Sequence, residues 1–293
     1  MVLSWDFILT FGTLALAVLA LWVPAPQILG SRSWLWGPLL TGACILGVVT
    51  GFLTWAAPCW LAGYAALAKS ARDVSNHWLR IPLLCATWVA PFLFAAHRFP
   101  GFHNPTLAEG VQFSSGAPAY SVHVNFDMAA VGVILAGVFC ERLRTFDGWA
   151  EMLRRVWPVL VSTLVFVMGI GMLLGYVRPD PKWTPYSLFV LTSNLLFTCV
   201  TEEAFFRGFT LVGLEKLMSK WRFGTAIAAV VSAVLFGLAH VKGGPILIAL
   251  ATIAGLHYAT AFVVTRRIEG AILAHFVLNA VHFIGFTYPN LIR

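Results

Sequence analysis

Three charged residues, Glu202, Glu203 and Arg207, lie in the stretch TEEAFFRG (201–208), inside an apolar run that begins near Tyr186. Burying each such charge in a membrane costs roughly 3 kcal/mol, less whatever pairing recovers. Of the twelve acidic residues in the chain, these two glutamates are read as the ones deep in an apolar run. Glu203 and Arg207 stand four apart, share a helical face and can form an ion pair. Glu202 lies about 100° round the helix, off that face. Its carboxylate is not committed to the pair, which suits a general base. Read alone, the triplet also fits a structural ion pair with one further polar contact.

Two more polar sites follow. FGLAH (236–240) puts His240 at the end of one apolar run, and HFVLN (275–279) puts His275 and Asn279 one helical turn apart on the last. A carboxylate, two imidazoles and a carboxamide on three neighbouring runs can activate a water and stabilise an oxyanion. His257 and His282 fit no usable spacing and are read as packing residues or as supports behind the site.

Taken together, EExxxR (Glu202 to Arg207), FxxxH (Phe236 to His240) and HxxxN (His275 to Asn279) resemble the motifs of the CAAX protease and bacteriocin-processing family. Its members are intramembrane glutamic endopeptidases that include the type II CAAX prenyl endopeptidase. The run TRRIEGAILAHFVLN (265–279) is similar to the family's basic turn before the last motif. The resemblance covers roughly residues 186–285 and leaves 1–185 without a matched motif. It implies that Glu202 activates water with help from His240, that His275 and Asn279 stabilise the tetrahedral oxyanion, and that Glu203 and Arg207, with Phe236, support them. It implies no metal. Zinc is the alternative, because His240, His275 and Glu202 form a possible ligand set, although HExxH is absent. The implied partners are the lipid bilayer and a membrane-associated protein or peptide substrate, with or without a lipid at its C-terminus. No nucleic-acid partner is expected. The implied location is the plasma membrane for a prokaryotic source and the endoplasmic reticulum for a eukaryotic one.

The elements that must hold these residues are read from composition and pattern. Of 293 residues, 59% are hydrophobic and 11% charged, against about a quarter charged in a soluble domain. The expected fold is an all-α, polytopic transmembrane helical bundle of about ten spans, near 5–24, 34–51, 53–69, 79–97, 126–140, 157–177, 186–213, 223–241, 245–264 and 270–288. Two regions are expected: membrane spans of unassigned role over 1–185, and a catalytic core over 186–293. The first run has no basic residue before it and VPAPQ is a poor cleavage site, so a span rather than a signal peptide is expected. The five cysteines form no CxxC pair, which argues against a disulfide framework or a thiolate zinc site.

Loop charges set the orientation. Thirteen of the nineteen Lys and Arg residues, Arg32 among them, fall in one set of alternate loops and five, including Arg293, in the other; Arg207 is the last. The basic set is expected in the cytosol. The long polar stretch 98–122 is a connection or a lid on the opposite side. Residues 141–157 read as an interfacial amphipathic helix, with Leu143, Phe146, Trp149, Leu153 and Trp157 on one face. Small residues four apart (Ala229, Ala233, Gly237; Ala251, Gly255, Ala259) predict close packing of the eighth and ninth helices. Counting along straight spans sets His240 near the far side and His275 about a third of the way in. A shared site therefore requires the eighth span to start outside the membrane, to be tilted or broken, or to have other bounds. Two other function classes fit the composition: a non-catalytic scaffold or immunity-type protein, and a transporter with a buried charge relay.

Overall fold

The computed structural model describes residues 3–23 and 35–292. Arg32, Arg293 and most of VPAPQ lie outside the described residues. Among those described, the chain forms ten helices and one two-stranded sheet. The helices are α1 (Trp5–Leu19), α2 (Trp36–Val49), α3 (Ala56–Asp73), α4 (His77–Ala95), α5 (Phe126–Phe139), α6 (Phe146–Leu173), α7 (Ser187–Leu217), α8 (Gly224–Ala239), α9 (Gly244–Thr265) and α10 (Ile268–Gly285). The strands are β1 (Thr106–Val111) and β2 (Tyr120–His123).

The chain is a helical membrane bundle, but the expectation of about ten spans is corrected. Among the described residues six helices are long and apolar enough to cross a membrane: α1 with the turn that follows it, α4, α6, α7, α9 with the turn before it, and α10. Helices α2, α5 and α8 are apolar but have only 14, 14 and 16 residues. At 1.5 Å per residue they reach roughly 21–24 Å, short of a hydrocarbon core about 30 Å thick. Helix α3 carries Lys69, Arg72 and Asp73 in its last turns.

Two compact units can be described. The first contains residues 1–106, 123–140 and 196–205. Its centre is α5, buried almost from end to end, with α1, α2, α3, α4 and residues 200–203 of α7 against it. Helix α1 starts where the Ser4 Oγ accepts a hydrogen bond from Phe7 N at 3.2 Å, an N-cap typical of serine. Gly132 of α5 faces Thr201 so closely that a Cβ there would lie 2.0 Å from its Oγ1. Thr201 donates to Met128 O at 3.2 Å, fixing its stretch of α7 on α5.

The second unit contains residues 107–122, 141–195 and 206–293. Helix α9 lies among α6, α8 and α10. The small-residue prediction holds: a Cβ on Gly237 would meet Thr252 Oγ1 at 1.9 Å, and one on Gly255 would meet Ala233 Cα at 3.2 Å. Leu211, Ala229, Ala259, Phe262 and Ala271 close one cluster of this core. Arg266, with φ 54°, takes the left-handed conformation that ends α9 and turns the chain into α10; its guanidinium grips Glu215 at 3.0 and 2.9 Å.

Two connecting segments differ from their sequence reading. Residues 146–157 are not a separate interfacial helix but the first turns of the 28-residue α6. Thr145 caps it, accepting from Gly148 N at 3.2 Å. Phe146, Trp149, Leu153 and Trp157 are exposed as the amphipathic pattern requires, while Leu143 lies before the helix and is buried. The polar stretch 98–122 contains β1 and the start of β2, and Phe113 anchors it by edge contacts with Phe283 (5.3 Å) and Tyr288 (6.0 Å).

Candidate functional site

The motif helix is irregular where the charges lie. Within α7, residues Asn194–Cys199 and Ala204–Leu211 are π-helical, and the α-helical turn Val200–Glu203 sits between them. Such wide turns are rare and recur at functional sites. Glu203 is fully buried, and Glu202 is half-buried. Both belong to the first unit, held there by the Thr201 contact with α5.

The second unit gathers the rest. Arg207, fully buried, donates from Nη2 to Gly255 O at 2.7 Å. The absence of a side chain at Gly255 makes that reach possible, since a Cβ there would lie 3.2 Å from the guanidinium. Arg207 Cζ lies 4.7 Å from the Phe236 ring centre and 5.3 Å from that of Tyr258, distances at which a cation is attracted by the ring face. The same two rings hold the imidazoles. Phe236 is 4.8 Å from His240 and 5.6 Å from His275. Tyr258 stacks on His275 at 4.6 Å and 16°.

Helix α8 has 16 residues and ends at Ala239, with His240 as its C-cap. It therefore reaches only about 24 Å. His240 packs on Phe236, four residues before it. It meets the same phenylalanine as His275, which lies seven residues beyond Ile268 at the start of α10.

The hydrogen bonds define what each polar group can still do. His240 donates from Nδ1 to Phe236 O at 2.8 Å, so in the neutral ring Nε2 is the acceptor nitrogen. Asn279 donates one N–H to Asn194 Oδ1 at 3.2 Å. A carboxamide has a second N–H for another acceptor. His257 donates to Ile253 O at 2.8 Å and His282 to Thr287 O at 3.2 Å, consistent with packing roles. Among the described residues, no three His, Cys, Asp or Glu side chains come together as a metal ion would need.

Two residues escaped the sequence reading. Asn194 is a lone carboxamide in the apolar run before the glutamates, two turns upstream, and its polarity was the available signal. Tyr258 lies on α9, between the small residues Gly255 and Ala259; an aromatic residue in such a stripe reads as core, and nothing in its spacing ties it to His275.

Comparison with known families gives a match. Residues 182–281 fit the family described as type II CAAX prenyl endopeptidase Rce1-like. The match spans all three motifs. No curated protein matches the chain, and no solved structure does.

Proposed function

We propose that this chain, whose residues 182–281 fit the Rce1-like type II CAAX prenyl endopeptidase family, is an intramembrane endopeptidase. Its substrate is a membrane-associated protein or peptide cut near its C-terminus. Glu202 takes a proton from water, and the water oxygen bonds to the scissile carbonyl carbon. His240 Nε2 accepts a second hydrogen bond from that water and orients it. The carbonyl oxygen becomes an oxyanion held by His275 and by the second N–H of Asn279. The C–N bond then breaks, and Glu202 returns its proton to the leaving nitrogen. Glu203 and Arg207 pair as buried support, and Phe236 with Tyr258 keeps the imidazoles in place. The basic loops face the cytosol.

The observation that carries this reading is the gathering of His240, His275 and Arg207 on the rings of Phe236 and Tyr258, inside the region that fits a peptidase family. A base, an acceptor imidazole and paired oxyanion donors need no metal. The test uses purified full-length chain in liposomes with peptides that do or do not carry a C-terminal prenyl group. Mass spectrometry should find one new C-terminus, and cleavage should persist after prolonged treatment with a strong zinc chelator. Cleavage lost to the chelator and restored by stoichiometric zinc would turn Glu202, His240 and His275 into ligands. No cleavage of any peptide presented in the bilayer would favour a scaffold.

A further inference from the structure

Away from that site, the start of α8 and the later turns of α9 line a groove of about 420 Å³ in the second unit. Its walls are apolar: Ala226 and Val230 from the first turns of α8, Leu256 and Val263 from the last turns of α9. Thr225 and Thr260 line it too; the Thr260 hydroxyl is spent on Leu256 O at 2.8 Å. Arg222 and Phe223 stand at the mouth. From Arg222 to Val230 the groove follows eight residues, or about 12 Å at helical rise.

We propose that this groove binds an anionic phospholipid, with one acyl chain between α8 and α9 and the phosphate on Arg222 and Lys220. Three features point there. First, the rim is positive. Lys216, Lys220 and Arg222 are exposed, and no ion pair ties them among the described residues. The nearby acid, Glu215, is already taken by Arg266. A basic cluster at the end of membrane helices attracts anionic headgroups. Second, Trp221 and Phe223 are exposed beside the cations, the aromatic and basic mixture that settles at a headgroup boundary. Third, the walls continue into the exposed apolar residues Ile227, Val234, Leu238 and Val264, surface that lipid rather than water would wet. A peptide in the groove would bring backbone N–H and C=O groups to walls with almost nothing to bond them. An acyl chain carries none.

The test is native mass spectrometry of the detergent-purified full-length chain titrated with phosphatidylglycerol or phosphatidylcholine. One phosphatidylglycerol should be retained per chain, several-fold more tightly than phosphatidylcholine. Arg222→Gln and Lys220→Gln should each weaken retention about fivefold, the value of one cation at a membrane surface. Ala226→Phe leaves every charge in place and fills the groove at an exposed position, so it should also abolish specific retention. Excess glycerol phosphate should not compete, because it has no chain to seat. Equal retention of both lipids would overturn the proposal, and so would full retention by Ala226→Phe, which would mean headgroup attraction alone. The readout is binding, so it stands or falls separately from proteolysis.

Discussion

Asp127 and Arg207 are both closed to solvent, yet they are housed in different ways. Asp127 sits in the first turn of α5, where backbone N–H groups and the helix dipole favour a negative charge. Its Oδ1 accepts from Asn104 Nδ2 at 3.0 Å and Met128 N at 2.9 Å, and its Oδ2 from His97 Nδ1 at 3.0 Å. Asn104 in turn accepts from Phe126 N at 2.8 Å. All of these bonds but that from Met128 tie a loop to the start of α5. Arg207 lies in mid-helix, and its surroundings are rings. Those rings also hold two imidazoles. The contrast separates a charge that serves as a joint from a charge set where others can react. Burial alone does not distinguish them; the company does.

That distinction can be broken by substitution. Replacing Arg207 with Met should cost the most stability, roughly 3–5 kcal/mol, if the cation is the partner of a buried glutamate. Thermal unfolding in detergent should show it as a large drop in Tm, with cleavage lost as well. An unchanged Tm would mean that the rings and the Gly255 carbonyl do not hold a paired charge. Asp127→Ala should cost less, on the order of 1–3 kcal/mol, because Asn104 and the Met128 N–H lose a charged acceptor. Protein that remains folded should still cleave at the normal rate. A large fall in kcat at full folding would place Asp127 in the chemistry after all.

The smallest effect is expected at Asn194. Its Oδ1 receives one N–H of Asn279, so under the proposed function it acts as a positioning residue. Asn194→Ala should lower kcat about tenfold, the loss of roughly 1.4 kcal/mol of oriented hydrogen bonding, while KM and Tm stay near normal. A change in KM alone would assign Asn194 to substrate binding.

Much of this was legible in the residues. The three motifs fall on α7, α8 and α10 as their spacing requires, and the apolar runs fall on the ten helices. Span count was not legible, because hydropathy reports apolarity more readily than length. Helix α8 shows why: its run is as oily as a span, yet it has only 16 residues. The π-helical turns around Glu202 were invisible, since no residue type demands them. Asp127 was missed as a buried acid because it lies at the edge of its run, where a first-turn carboxylate is ordinary. The hairpin within 98–122 was read as a plain connection or lid, its short strands falling below any clear alternation.

The central claim is that the two adjacent glutamates have different tasks. It is tested most directly by measuring cleavage and thermal unfolding side by side for purified Glu202→Gln and Glu203→Gln in the same lipid. The account predicts that Glu202→Gln loses cleavage by about 10²–10⁴-fold, the usual weight of a general base, with Tm unchanged. Glu203→Gln should lower Tm clearly, because the proposed pairing makes it the carboxylate partner of Arg207. A Glu202→Gln protein that still cuts, beside a stable and inactive Glu203→Gln protein, would contradict the account and reverse the two roles.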